Sequence, residues 1–340
     1  MRSSITIGIG VLLMALVLEA VLQCLPVSSG LRLAQSSASM PLSRYLPRQE
    51  YVYSHGWALS NARRGVTNGQ GFANSAEFKP DPAVLVLGDS FVESLMLDYP
   101  DTLQGELDRM LGGAVVSAAS SGNGLADTLE MLRHYAPRLH PRNVVVLIDS
   151  GNLNNLLLPA PRSHNQFVAG PDGVRTVHVD YVESKLKRWL AHSALVRYTY
   201  YNLKLPDWIS SLRRAAHAPV ADDTGAAARD QMLAYYFAQI KALPGAADRQ
   251  MVFVVDGERN TLYEPKKGKP SWHGDDRQVF MAQARQHGHV VVDMQPVFEE
   301  HWREHAERLD FLPMDGHWNK VAHGLAAQHV MPLLLPAGQP

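Results

Sequence analysis

The residues best equipped for chemistry stand at the end of a short apolar run. Val84 to Leu87 is followed by Gly88-Asp89-Ser90. Four apolar residues stopped by a glycine predict a buried strand. In an open α/β sheet, ligands bind beyond the carboxyl ends of the strands. A serine there can hold its hydroxyl clear of the sheet, ready to attack a carbonyl. The same tripeptide also makes an ordinary strand-to-helix turn, so its partners decide. A nucleophilic serine needs a base, a group that orients the base, and donors for the oxyanion. Three further stretches offer these: Ser120-Ser121-Gly122-Asn123-Gly124, Asp149-Ser150-Gly151-Asn152, and Met314-Asp315-Gly316-His317-Trp318-Asn319. Gly122 and Asn152 can supply amide donors. Asp315 and His317, two apart on a turn, can orient each other.

These stretches need a common platform. Apolar runs at 84–87, 114–119, 143–149, 251–255 and 289–292 predict strands. Helices are expected near 101–111, 125–138 and 275–287, the first stopped by Gly112-Gly113 and the second by Pro141. Apolar strands alternating with helices predict a parallel sheet covered on both faces. The serine, glycine, asparagine and histidine stretches then share one edge. Residues 153–249 interrupt the alternation. They carry many aromatics and one amphipathic helix, 224–243, with Met232, Tyr236, Ile240 and Leu243 at helical spacing. This insertion is expected to be helical, packing on the sheet or capping a substrate cleft.

Gly88-Asp89-Ser90, Gly122, Gly151-Asn152 and Asp315/His317 match, in order, the four blocks of the SGNH (GDSL-type) hydrolases, and the chain resembles that family over about residues 68 to 330. The resemblance implies a flavodoxin-like three-layer α/β/α sandwich with a parallel sheet of about five strands. It also implies that Ser90 is the nucleophile, His317 the base and Asp315 its orienting carboxylate. The Ser90 and Gly122 amides and the Asn152 side chain would form the oxyanion hole. Neither cofactor nor metal is expected. The pattern departs from the family where the second block usually has Asn and this chain has Ser117. The final block, Asp315-Gly316-His317-Trp318, resembles the Asp-Thr-His-Trp of the alginate acetyltransferase branch, where that block precedes the serine. Asn68-x-x-Gly71 resembles a lead-in found in membrane-anchored bacterial members. Asp89, Asn123, Asp256, Arg259 and Trp318 adjoin these blocks or the fourth strand end, and are candidates for substrate contact.

The remaining features bound the reading. The formal net charge of −1 gives no basic face for nucleic acid. One cysteine, Cys24, excludes an internal disulfide framework. His301-x-x-Glu304-His305 fits an inverted zinc-protease pattern, but lies in a charged segment expected to be a solvated helix face. His134, His140, His192 and His217 show no paired spacing and are expected at the surface or in satisfied core positions. Residues 1–27 form an apolar stretch of about the roughly 20 residues that a bilayer span needs. An uncleaved signal anchor is expected, with a cleaved signal peptide and a buried core helix as alternatives. Residues 28–67 are expected as linker and N-terminal extension, and 68–340 as the hydrolase-like domain. The expected function is a serine esterase acting on O-acyl groups of a carbohydrate or envelope glycan, held at the membrane with its catalytic domain extracytoplasmic, with envelope polysaccharide machinery as a candidate partner. An O-acetyltransferase using the same acyl-enzyme and a non-catalytic glycan-binding or assembly subunit are the alternatives.

Overall fold

The computed structural model describes residues 2–205, 223–312 and 314–336. Its centre is a five-stranded sheet of β3 (Val84–Gly88), β4 (Val115–Ala119), β5 (Asn143–Ile148), β8 (Gln250–Val255) and β9 (Val290–Asp293). The strands are ordered β4-β3-β5-β8-β9 and every pair is parallel. Counted along the chain this is 2-1-3-4-5, the flavodoxin-like order, in which strand order reverses beside the first strand. That strand is β3, and Ser90 follows two residues beyond its end.

Period-two alternation divides the strand side chains between two cores. Leu85, Leu87, Val144, Val146 and Phe253 face α4 (Leu125–Leu139), α8 (Asp223–Lys241) and α10 (Asp276–Gln286). Val84, Val86, Val145, Val252 and Val254 face α3 (Leu103–Leu111), α11 (Met294–His305) and α12 (Lys320–Val330). The strands therefore read as unbroken apolar runs because both faces are buried. Thr102 caps α3 by accepting from the Gly105 amide, and Gly112 ends it in the left-handed region. Asn319, just after the histidine block, caps α12 by accepting from the Val321 and Ala322 amides.

Two expectations need correction, and one alternative falls. The insertion is not all helical: β6 (Asn165–Gly170) and β7 (Gly173–His178) form an antiparallel hairpin on α4 and α8. Gly170-Pro171-Asp172-Gly173 supplies its turn, with Gly173 at φ 104°. Residues 28–67 are not a loose linker. Val27, Ala34, Leu42 and Tyr45 are buried, and Arg32 pairs with Glu183 at 2.6 Å. β1 (Glu50–His55) and β2 (Ser60–Val66) then pair as a second hairpin. A buried core helix is also excluded for α1 (Arg2–Gln23), because its apolar residues from Ile5 to Leu18 lie largely exposed. Ile5–Gln23 is long and apolar enough to cross a membrane, as an anchor or a signal sequence. His217 lies outside the described residues.

Candidate active site

β3 delivers Ser90 to the sheet edge, where it opens the four-residue helix α2 (Ser90–Glu93). Gly88 lets this turn close: a Cβ there would stand 2.5 Å from Val92 Cγ2. Asp89 caps the turn by accepting from the Phe91 amide at 2.9 Å. From the end of the chain, β11 (Asp315–Trp318) brings His317, whose Nε2 is 2.8 Å from Ser90 Oγ. On its other side, His317 Nδ1 hydrogen-bonds Asp315 Oδ1. The same oxygen accepts from the His317 amide at 3.0 Å, so the two-residue spacing fixes the pair locally. With Nδ1 facing a carboxylate, the proton belongs on Nδ1, which leaves Nε2 free to accept from the serine.

Asp315 has a second oxygen, and the N-terminal hairpin serves it. Tyr53 on β1 donates to Oδ2 at 3.2 Å. His55 Nδ1 lies 4.0 Å from the same atom. Burial pushes the Asp315 carboxyl up, but the His317 and Tyr53 hydrogen bonds outweigh it and hold the group well below the usual carboxylate range. Burial and the Asp315 charge raise the Tyr53 phenol. The segment expected as linker thus contributes to this carboxylate. Only the Tyr-x-Tyr-x-His alternation of residues 51–55 could have signalled it.

Gly122 and Asn152 line the same cleft as Ser90. Gly122 adopts φ 84°, a region few non-glycine residues occupy. Its amide donates to no acceptor among the described residues. Asn152 is fixed through a reciprocal cap, its Oδ1 accepting from the Asp149 amide at 3.0 Å. Its Nδ2 donates one proton to the Asn123 carbonyl at 3.1 Å, leaving the second N–H free. Ser90, Gly122 and Asn152 together line a cleft of about 400 Å³. Its far wall comes from the insertion, through Leu158, Pro161, His164, Gln166 and Phe167.

The candidate substrate contacts divide. Asp89 and Asn123 do border this cleft; both side chains are buried, and Asn123 Oδ1 has no hydrogen-bond partner among the described residues. Asn123 Nδ2 donates to the Gly88 carbonyl at 3.1 Å, tying the Gly122 loop to β3. Burial and the Asp149 charge push the Asp89 carboxyl well above the normal range, which favours its protonated form beside Asp149. Asp256, Arg259 and Trp318, expected at the substrate, are not on the cleft lining. Arg259 bridges Asp256 and Asp310, at 3.0 Å each, and donates to the Gly316 carbonyl at 2.8 Å. Trp318 Nε1 donates to Asp256 at 2.8 Å. Their work is to clamp the strand that carries His317. A buried guanidinium between two carboxylates satisfies charges that would otherwise be costly.

Two supports were missed from sequence. Ser121 beside Gly122 donates to the buried Glu93 carboxylate. The place usually filled by Asn is taken by Ser117, whose Oγ donates to the Asn74 carbonyl at 3.2 Å. Asn74 Nδ2 in turn donates to the carbonyls of Glu93, Ser94 and Leu97 at 3.0, 2.8 and 3.2 Å. The His301 and His305 rings lie 4.7 Å apart on α11, tilted by 47°, and among the described residues no group of three His, Cys, Asp or Glu is arranged to hold a metal.

No family model and no curated protein matches this chain. Several solved structures are similar to it at low identity. One is a member of the lipolytic protein G-D-S-L family from Veillonella parvula DSM 2008, with 9% identity, a TM-score of 0.40, and coverage of 74% of this chain and 96% of that one. Another is the acetyl xylan esterase AlAXEase, with 11% identity and a TM-score of 0.44 over 74% of this chain and all of that one, 100%. A third is TesA, with 17% identity and a TM-score of 0.38 over 75% of this chain and 99% of that one.

Proposed function

We infer that the chain is an SGNH-type serine ester hydrolase that works on O-acyl groups through a Ser90 acyl-enzyme. The observation that carries this is the unbroken relay from Ser90 Oγ through His317 to Asp315 at the reversal point of the sheet. As Ser90 Oγ bonds to the ester carbonyl carbon, His317 Nε2 takes its proton. Asp315 holds the imidazole in the required tautomer and stabilises its cation. The carbonyl oxygen becomes an oxyanion facing the Ser90 and Gly122 amides and Asn152 Nδ2. Loss of one such donor typically costs about 10²–10³ in rate. Collapse expels the alcohol, which takes the proton from His317. Water, activated by the same histidine, then frees the acid and regenerates Ser90. A sugar hydroxyl in place of that water would make the reaction an acyl transfer. A binding module has no use for this relay.

The proposed setting is the outer face of a membrane, with acylated envelope glycan as substrate. The C-terminal end of α1 is tied into the domain rather than left free. Glu19 accepts from Ser193 Oγ at 2.8 Å and from the Ala194 and Leu195 amides at 2.9 and 2.8 Å. It thereby caps the short helix Ala194–Arg197. Gln23 donates to the His192 carbonyl at 2.9 Å, and Leu22 and Val27 pack with Ala194. A retained anchor accounts for these contacts; a cleaved leader would discard them. Exposed Trp57 and Trp189 lie near this junction, as aromatic residues do at membrane interfaces.

The test is p-nitrophenyl acetate turnover by the full chain in detergent, with and without Ser90→Ala, and a search for an acetyl adduct on Ser90 by mass spectrometry. Turnover and adduct that vanish in Ser90→Ala support the reading. Turnover that survives the substitution, or none in the parent, would sink it. Added glycan acceptors then separate transfer from hydrolysis.

A further inference from the structure

A second histidine faces the same cleft, and the acyl-enzyme mechanism does not use it. His164 enters from the loop before β6, and its side chain is almost wholly buried. Its Nδ1 is 3.2 Å from Asp127 Oδ2. Asp127 stands in the first turn of α4 and is thoroughly engaged. It accepts from the Gly124 amide at 2.9 Å, and from the Asn165 amide and side chain at 2.8 and 2.9 Å. With Nδ1 on a carboxylate, the imidazole proton lies on Nδ1, and Nε2 presents its lone pair.

That lone pair has no hydrogen-bond partner among the described residues, and His164 lines the cleft together with Ser90, Gly122 and Asn152. The ring borders the oxyanion glycine closely: a Cβ on Gly122 would stand 3.4 Å from Cε1 and 3.5 Å from Nε2. A purely structural role would explain the bond to Asp127. It would not explain the second nitrogen, because Asn165 already ties the hairpin to the same carboxylate twice. An acceptor beside Gly122, on the lining that it shares with Ser90, suits a hydroxyl on the substrate.

We propose that His164, oriented by Asp127, binds a free hydroxyl of a carbohydrate ester and so selects polyhydroxylated substrates over simple acyl esters. This rests on the acyl-enzyme reading of Ser90 and adds the substrate class. A substrate with a hydroxyl there satisfies Nε2; an alkyl or aryl ester leaves it unpaired, and sites built to bond a hydroxyl discriminate strongly against analogues that lack it.

The experiment compares the full chain in detergent with His164→Ala and His164→Gln on three esters. These are p-nitrophenyl acetate, a methyl glucoside carrying one O-acetyl group, and that glucoside with its free hydroxyls methylated. For His164→Ala, kcat/KM on the mono-acetyl glucoside should fall about tenfold or more, the scale of a lost substrate hydrogen bond. Turnover of p-nitrophenyl acetate and of the methylated sugar should hold. His164→Gln, whose amide oxygen can still accept, should recover part of the loss. Equal losses on all three esters would mean that the ring merely supports the oxyanion loop, and would overturn the proposal. So would no loss on any of them, or a parent that does not prefer the hydroxylated sugar. Ser90→Ala is assayed in parallel: activity surviving there overturns the nucleophile, whereas a missing substrate dependence with Ser90 essential overturns only the role of His164.

Discussion

Two histidines serve the site, His317 on Ser90 Oγ and His164 on the cleft lining, each with a carboxylate on Nδ1, and they are assembled in opposite ways. His317 finds Asp315 two residues away on its own strand, and the carboxylate also holds the histidine's backbone amide. His164 finds Asp127 across 37 residues, on a helix of the other core layer. A third histidine supplies the contrast. His323 is fully buried, with Ser94 Oγ on Nε2 at 3.0 Å and the Leu103 amide donating to Nδ1 at 3.0 Å. No carboxylate faces it, and burial pulls its pKa down to about 3. Its two nitrogens are consumed by the packing of α2 and α3 against α12. The lesson is that the bond on one ring nitrogen decides what the other can do. A carboxylate on Nδ1 keeps Nε2 available, whereas a backbone donor on Nδ1 makes the ring a fastening.

The comparison breaks most visibly at His317. Its replacement by Ala should lower kcat by about 10⁴-fold or more on every ester, because the serine loses its base. His164→Ala should leave p-nitrophenyl acetate alone. Equal losses for the two variants in steady-state assays would erase the division of labour. Asp315→Asn should cost about 10⁴-fold in kcat by favouring the wrong tautomer, with the melting temperature nearly unchanged. A loss of the fold instead would make Asp315 structural.

The mount of His317 can be tested separately from its chemistry. Arg259→Met strands Asp256 and Asp310 without their shared cation, and removes a donor from the Gly316 carbonyl. Removing one partner of such a buried pair costs about 3–5 kcal/mol, which urea denaturation would register. Asp89→Asn should do the reverse. Asp89 has a raised pKa in the folded state, so its stabilising protonated form is fully present below the unfolded pKa and is lost as pH rises towards the folded one. An asparagine there keeps an oxygen for the Phe91 amide and a donor for Asp149 without needing a proton. The variant's stability relative to the parent should therefore grow from pH 4 to pH 8, by up to about 1.4 kcal/mol per unit. A gap independent of pH would place an ionised Asp89 in the folded protein.

What was legible in the sequence follows from how local each arrangement is. The five strands were visible because burial on both faces makes them continuous apolar runs, such as Val84 to Leu87. Ser90, Gly122 and Asn152 follow the ends of sheet strands, so the order of the strands placed them along one edge, whereas His317 arrives on β11, outside the central sheet. Asp315 was visible because it is two residues from its partner. The hairpin 165–178 was overlooked inside a stretch judged by its aromatics, although Gly-Pro-Asp-Gly marked its turn. His164 and Asp127 could not be paired by eye, since nothing in their spacing ties that hairpin to α4. Arg259 and Trp318 looked like substrate contacts because they follow strand ends; their inward turn depends on the buried charges of Asp256 and Asp310.

The smallest expected effect concerns the hairpin that reaches the site from the opposite end of the chain. Tyr53 donates to the Asp315 oxygen that His317 does not use. Removing one such hydrogen bond is worth about 0.5–1.5 kcal/mol, so Tyr53→Phe should slow p-nitrophenyl acetate turnover by roughly three- to tenfold. Asp315 stays ionised at neutral pH even then, because the bonds from His317 remain. The stability lost with the phenol should have a definite pH dependence. A carboxylate with a lowered folded pKa contributes stability that is present above its unfolded value, about 4, and fades as pH falls through the folded one. The gap between Tyr53→Phe and the parent should accordingly be full at pH 7 and narrow as the solution is acidified below about pH 4. A gap that stays constant into acid would mean that Tyr53 supports the hairpin rather than the carboxylate, leaving Asp315 dependent on His317 alone.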